Sequence, residues 1–151
     1  MHGYAGVTWP KGTQGSFALN GNHKMYANGK PYFTTFLKTL GMTGHPEGQL
    51  ASFFCLETER WRIIAIDTGY NSVGWPILGV LPVLNKIPFI GGDCRLDEKL
   101  IEWFRQVVRP REKRKPTLLL SHHQYFSAFP DLSYHKPAKQ LAEFLQGQEI
   151  V

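Results

Sequence analysis

Two short apolar runs in this sequence each end in residues that can bind a metal ion. Residues 16–23 read SFALNGNH, and residues 117–124 read TLLLSHHQ. Apolar runs of this length are typical of strands buried on both faces, although a buried helical segment has the same pattern. Asn22 offers a neutral carbonyl oxygen, and His23 and His122 offer imidazole nitrogens. Oxygen and nitrogen donors together suit Mn, Fe or Zn.

The Gly21-Asn22-His23 segment and the strand before His122 resemble two of the five motifs of the calcineurin-like metallophosphoesterase family. The resemblance extends through residues 63–71 and 96–108. It implies that Asn22 and His122 are metal ligands in a centre of two Mn, Fe or Zn ions, and that small phosphomonoesters or diesters are hydrolysed there. His23 would be catalytic, stabilising a phosphoryl oxygen or protonating the leaving group.

The family's other three motifs are missing from the chain. There is no Asp-x-His and no Gly-His-x-His, and Gly92-Asp93 matches the Gly-Asp motif only out of chain order, so we interpret it as a loop. We therefore expect residues 1–151 to form one incomplete domain, part of the family's layered α/β/β/α sandwich. Such a chain is expected to lack activity on its own, because most of the metal ligands would be absent.

Two neighbours of the motifs depart from the family pattern or admit two interpretations. Lys24 stands where the family has an acid, and it would attract phosphate if it points inward, or lie in solvent. His123 is expected to contact substrate or a metal ligand, with a structural role as the alternative. Asn20-Gly21-Asn22 is also common turn chemistry when taken alone.

Hydrophobic periodicity predicts the elements that position these residues. Three residues separate the apolar segments at 51–57 and 61–67, which indicates that these segments form an antiparallel hairpin. Proline and glycine predict a long loop over residues 68–95. The alternation of helices with buried strands indicates an α/β fold. We predict strands at 16–20, 51–57, 61–67 and 117–120, and helices at 32–40, at 96–108 and from 136 onward.

The net charge of +5 is concentrated in one segment. Residues 109–115 read RPREKRK, which is five basic residues and one acid. Such a loop is usually solvated, and no nucleic-acid-binding motif accompanies it, so we expect no nucleic-acid partner. The alternative function is a non-catalytic remnant of the fold, an interaction module whose basic loop contacts an anionic partner.

The remaining features favour an intracellular chain. Prolines interrupt the apolar run at 74–84, which makes a membrane span an unfavourable interpretation. No signal peptide is visible, and Cys55 and Cys94 lack metal-binding spacing, so we expect reduced thiols in the cytoplasm. No Ser-His-Asp pattern or phosphate-binding glycine loop points to another enzyme class.

Overall fold

The three-stranded sheet in the described part of the protein is built from apolar segments of the sequence. In a computed structural model that describes residues 11–26, 28–73, 93–125 and 136–151, strand β3 (Phe54–Glu57) pairs antiparallel with β4 (Arg62–Ile66). Strand β4 pairs in parallel with β5 (Thr117–Ser121), in a register that places Ile66 opposite Ser121. Because β4 is the middle strand, Ile64, Ala65 and Ile66 are fully buried.

Two helices cover one face of this sheet. The α-helix α2 (Glu98–Trp103) begins at Asp97, whose side chain accepts a hydrogen bond from the Lys99 amide at 2.9 Å. It continues as π-helical turns over Phe104–Val108 and ends at Arg109, which has a left-handed backbone conformation with φ 46°. Helix α3 (Lys136–Leu145) packs beside it. The core they form with the sheet is Ile64, Ile66, Leu96, Leu100, Phe104, Val108, Leu141, Phe144 and Leu145.

The N-terminal part of the described chain forms a smaller layer with a sheet of its own. Strands β1 (Gly15–Ser16) and β2 (Gly41–Met42) form a two-stranded antiparallel pair. Between them lie the four-residue helix α1 (Asn22–Met25) and a helical segment made of π-helical turns at Tyr32–Phe36 and a 3-10 turn at Leu37–Thr39. This layer carries the Gly-Asn-His segment and holds it near the sheet.

The residues after α3 return to the outer edge of β5. The Thr117 amide donates to the Glu149 carbonyl at 2.9 Å, and the Leu119 amide donates to the Val151 carbonyl at 3.1 Å. A parallel bridge joins Thr117 to Ile150. Residues 149–151 therefore lie alongside β5, where they satisfy backbone groups of that strand.

Most predicted elements are confirmed, and one strand is wrong. The α/β class, the antiparallel hairpin, and the helices predicted at 96–108 and from 136 onward are all present. The helix predicted at 32–40 forms with π and 3-10 geometry rather than α geometry. The strand predicted at 16–20 is limited to Gly15–Ser16, because the Gln49 side chain replaces a strand partner there.

Gln49 meets both backbone groups of Ala18. The Ala18 amide donates to Gln49 Oε1 at 2.9 Å, and Gln49 Nε2 donates to the Ala18 carbonyl at the same distance. An extended segment that has no neighbouring strand is expected to leave backbone groups unpaired at its edge, but at Ala18 both groups are paired. A glutamine amide supplies one donor and one acceptor, so it can pair with an extended residue as a neighbouring strand would.

Several predictions fall wholly or partly outside the described residues. The predicted loop at 68–95 is described only at its two ends, and the apolar run at 74–84 is not described. Within the described ranges, none of the helices has the length and apolar content needed to cross a membrane. Neither Cys55 nor Cys94 forms a disulfide.

Candidate functional site

The candidate site lies at the carboxyl ends of the two parallel strands. Strand β4 continues into Asp67, Thr68 and Gly69, and β5 continues into the two histidines. The carboxyl ends of parallel strands are where ligands bind in open α/β sheets. The Asn20–Asn22 segment crosses this end in close contact, because a Cβ atom built on Gly69 would stand 2.9 Å from the Gly21 carbonyl carbon.

Asn22 and His122 meet at this crossing. The Asn22 Oδ1 atom lies 3.1 Å from His122 Nε2, although 100 residues separate them in sequence. Gly21 allows the approach, since a Cβ atom at that position would stand 3.0 Å from His122 Cε1. Asn22 is half-buried at the start of α1, and His122 is exposed. The expected proximity of this pair is therefore present.

The spacing of the pair is compatible with shared coordination of one ion. Two ligands at right angles on a metal with bonds of about 2.1 Å stand about 3.0 Å apart. The same 3.1 Å is also an ordinary hydrogen bond between an amide oxygen and an imidazole N–H. The donor set, one amide oxygen and one imidazole nitrogen, suits Mn, Fe or Zn.

The fit to a complete two-metal centre is partial. Within the described ranges, no group of three or more His, Cys, Asp or Glu side chains is arranged to hold an ion. Asn22 and His122 alone would therefore provide only part of the ligand set of one ion. Further ligands would have to come from outside the described residues.

His123 faces a different partner from its neighbour. Its backbone amide donates to Thr68 Oγ1 at 3.0 Å, and its ring Nδ1 lies 3.0 Å from the same oxygen. A hydroxyl that accepts from the amide can donate to Nδ1, which leaves the proton of a neutral ring on Nε2. The His122 and His123 rings meet edge to face at 4.8 Å. Burial, and then the charge of His122, lower the pKa of His123.

Asp67 is the most heavily hydrogen-bonded carboxylate at the site. Its oxygens accept from the Gly69 and Tyr70 amides at 2.9 Å, from Asn20 Nδ2 at 3.2 Å, and from Ser52 Oγ. Burial raises the pKa of Asp67, against the effect of these donors. A carboxylate engaged by four donors is a structural anchor rather than an open metal ligand.

The sequence analysis missed Asn20 as part of this anchor. Asn20 is fully buried, and its amide group spans both oxygens of Asp67. This contact fixes the residue that comes two positions before Asn22. Two signals were available in the sequence: Asn20 ends one apolar run, and Asp67 ends a predicted buried strand. The sequence did not indicate that the side chains of Asn20 and Asp67 pair.

His23 and Lys24 lie on the outer side of α1. Both are exposed, and both line a cavity of about 430 Å³ whose other walls include Tyr32 and Phe36. The His23 ring meets the Tyr26 ring edge to face at 5.1 Å, and Lys24 Nζ lies 5.8 Å from the Tyr32 ring centroid. Of the interactions found among the described residues, none joins these side chains directly to the Asn22 and His122 pair.

Comparisons with known proteins assign no family to this chain. No family model matches it, and searches of curated proteins and of solved structures also return no match. The functional reasoning therefore rests on the residues of the site and their geometry.

Proposed function

We propose that this chain contributes to a metal-dependent phosphoesterase of the calcineurin-like type, which hydrolyses phosphomonoesters or diesters. The single observation that supports this most is the 3.1 Å approach of Asn22 Oδ1 to His122 Nε2 at the ends of parallel strands. In this proposal the chain forms part of the layered α/β/β/α sandwich, and a second sheet and the missing ligands lie outside the described residues.

Asn22 and His122 would hold one ion of a two-metal centre of Mn, Fe or Zn. Bound divalent ions supply charge neutralisation to the phosphoryl oxygens and a nucleophile at neutral pH. The Asn22 amide adds no negative charge, so the site stays attractive to an anionic substrate. The Asn20 to Asp67 hydrogen bonds fix the backbone that presents Asn22.

His23 and Lys24 would act on the substrate rather than on the metal. An imidazole can donate a hydrogen bond to a phosphoryl oxygen or a proton to the leaving oxygen. The Lys24 ammonium attracts the phosphate, and its place on the outer side of α1 keeps its positive charge directed at solvent and substrate. Thr68 holds His123 against the strand end, where its ring supports the orientation of His122.

Manganese-induced broadening in NMR spectra of the 151-residue chain tests the assignment, because it detects even weak binding. We expect Mn²⁺ to broaden the signals of Asn22 and His122 selectively. Asn22→Ala and His122→Ala should abolish the selective effect, and His45→Ala, an exposed histidine elsewhere, should leave it unchanged. Broadening that is equal in all four proteins would exclude a metal site at this pair.

A second candidate function is an interaction module that uses the basic loop Arg109–Lys115. The buried Arg62 guanidinium donates to the Lys113 carbonyl, which anchors the loop, and Arg111 and Arg114 remain exposed. Under this alternative, Arg111→Glu with Arg114→Glu would lower the salt concentration at which the chain elutes from heparin, and Mn²⁺ would have no selective effect at Asn22. Unchanged elution would exclude the loop as the anionic contact.

A further inference from the structure

We infer that the cavity beside α1 binds the aromatic group of an aromatic phosphomonoester, with the phosphate directed toward His23 and Lys24. The cavity has a volume of about 430 Å³, within the range of about 300–1,000 Å³ that is usual for ligand clefts. The role of His23 toward phosphate rests on the proposed function, whereas the aromatic preference depends on the cavity wall alone.

The apolar wall is made of rings that hold one another in place. The Tyr32 and Phe36 rings pack with centroids 5.9 Å apart, and the Tyr32 hydroxyl donates to the Ala18 carbonyl at 3.1 Å. Tyr32 is buried, while Phe36 remains 44% exposed and presents its ring to the cavity. A fixed and partly exposed ring is a surface on which a planar ligand can stack at little entropic cost.

The polar side of the cavity carries positive charge. His23 and Lys24 line it, and among the described residues no acidic side chain does. Lys24 takes part in none of the ion pairs found among the described residues, and its ammonium lies 5.8 Å from the Tyr32 ring centroid. The combination of a ring surface with an adjacent ammonium and an imidazole complements a ligand that is planar and apolar at one end and anionic at the other.

Two other cavities are lined by more acidic side chains than lysines. The groove of about 660 Å³ beside β3 is lined by Glu47 and Glu57 but also by His45 and Lys113, and the cleft of about 390 Å³ above α2 is lined by Asp67 and Asp97 but also by Lys99. Carboxylates at these positions repel a phosphate. Of these three cavities, the one beside α1 is therefore the best match for an aromatic phosphomonoester.

NMR titration of the whole chain in the presence of EDTA tests the inference without any metal. The probes are phenyl phosphate and glycerol phosphate, followed through the amide signals of Lys24 and Phe36. We expect phenyl phosphate to bind at least about fivefold more tightly, which corresponds to the lower end of the contribution of ring stacking. Phe36→Ala should remove this preference, and Lys24→Ala should weaken both ligands.

Matched control variants distinguish the contribution of the cavity wall from the general effect of shortening a side chain. Trp61→Ala removes an exposed ring elsewhere, and Lys139→Ala removes an exposed lysine of α3, so neither should alter the preference. Phe36→Leu keeps an apolar side chain against Tyr32 but removes the ring, so this variant should still lose most of the preference for phenyl phosphate. Equal binding of the two probes to the unmodified chain, or a preference that survives Phe36→Leu, would overturn the inference. Neither result bears on manganese binding at Asn22.

Discussion

Replacement of Asp67 should destabilise the protein more than replacement of any exposed carboxylate. In Asp67→Ala, the Gly69 and Tyr70 amides, Asn20 Nδ2 and Ser52 Oγ lose their acceptor in a buried place. A buried donor left without a partner costs about 1–3 kcal/mol. Rotation of the serine hydroxyl and entry of water should relieve part of the loss, so we expect a decrease of roughly 3–5 kcal/mol in the free energy of unfolding.

Asp67→Asn should be milder, because an amide keeps the shape and one acceptor. Its oxygen can accept from the Gly69 and Tyr70 amides, while its NH₂ group can donate to the Asn20 side-chain oxygen, which accepts no hydrogen bond from the described part of the chain. We expect a loss of about 1–2 kcal/mol. The control is Asp97→Asn, since asparagine caps a helix as well as aspartate does, and its cost should stay within about 0.5 kcal/mol.

Urea unfolding followed by tryptophan fluorescence measures these differences. Trp103 is a suitable reporter because its ring packs against Phe53 at 4.9 Å and Phe104 at 5.4 Å. With a slope of about 2 kcal/mol per molar urea, Asp67→Ala should lower the midpoint by about 2 M. A midpoint within about 0.5 M of the unmodified protein, or an equal loss in the Ala and Asn variants, would refute the anchor role.

The pH dependence of stability provides an independent check on Asp67. Burial raises its pKa in the folded state, so the folded protein holds this proton more tightly than the unfolded chain does. The contribution of Asp67 to stability is therefore greatest below the unfolded pKa and decreases as the pH rises through the folded pKa. The unfolding free energy of the unmodified protein minus that of Asp67→Asn should therefore decrease as the pH rises from the unfolded pKa of Asp67 through its folded pKa. A difference that increases with pH would contradict the raised pKa.

Three further outcomes follow from the site and the sheet. The purified chain should show no Mn-dependent hydrolysis of para-nitrophenyl phosphate or its bis ester, because Asn22 and His122 would be only two of the ligands that the proposed metal centre needs. Turnover that His122→Ala abolishes would contradict this. Gly21→Ala should displace the His122 ring, which a Cβ would approach to 3.0 Å, and weaken Mn²⁺ broadening at Asn22. Gly44→Ala strains a backbone at φ 85° but places its Cβ with no atom within 4 Å, so it should leave the broadening at Asn22 unchanged. Burial, and then the charge of Glu57, raise the pKa of Cys55 to about 11. The alkylation of Cys55 at pH 8 should therefore be roughly a hundredfold slower than that of a model thiol. A rate equal to that of the model thiol would show that the Cys55 thiol is exposed.

Sequence periodicity was sufficient for the elements in which burial and backbone pairing agree. The β3 to β4 hairpin has apolar strands and a short connection, and α2 has a capping aspartate and a helical stripe, so local and tertiary preferences coincide. The predicted strand at 16–20 failed because the partner of Ala18 is the Gln49 side chain. A side chain 31 residues away leaves no period in the local sequence from which to predict it.

The candidate site shows the same division between local and distant information. The resemblance implied that Asn22 and His122 bind the same metal ion, and the structure brings their side chains within 3.1 Å of each other. The buried contact between Asn20 and Asp67 that fixes this geometry joins residues 47 positions apart, and neither side chain has chemistry that specifies the other. Because Asn20 comes two residues before Asn22, loosening of this contact should change the distance between Asn22 and His122 as well as stability. The manganese effect at Asn22 should therefore be weaker in Asp67→Asn even under conditions where that variant is fully folded. Full retention of the effect would show that Gly21 and α1 alone position the pair.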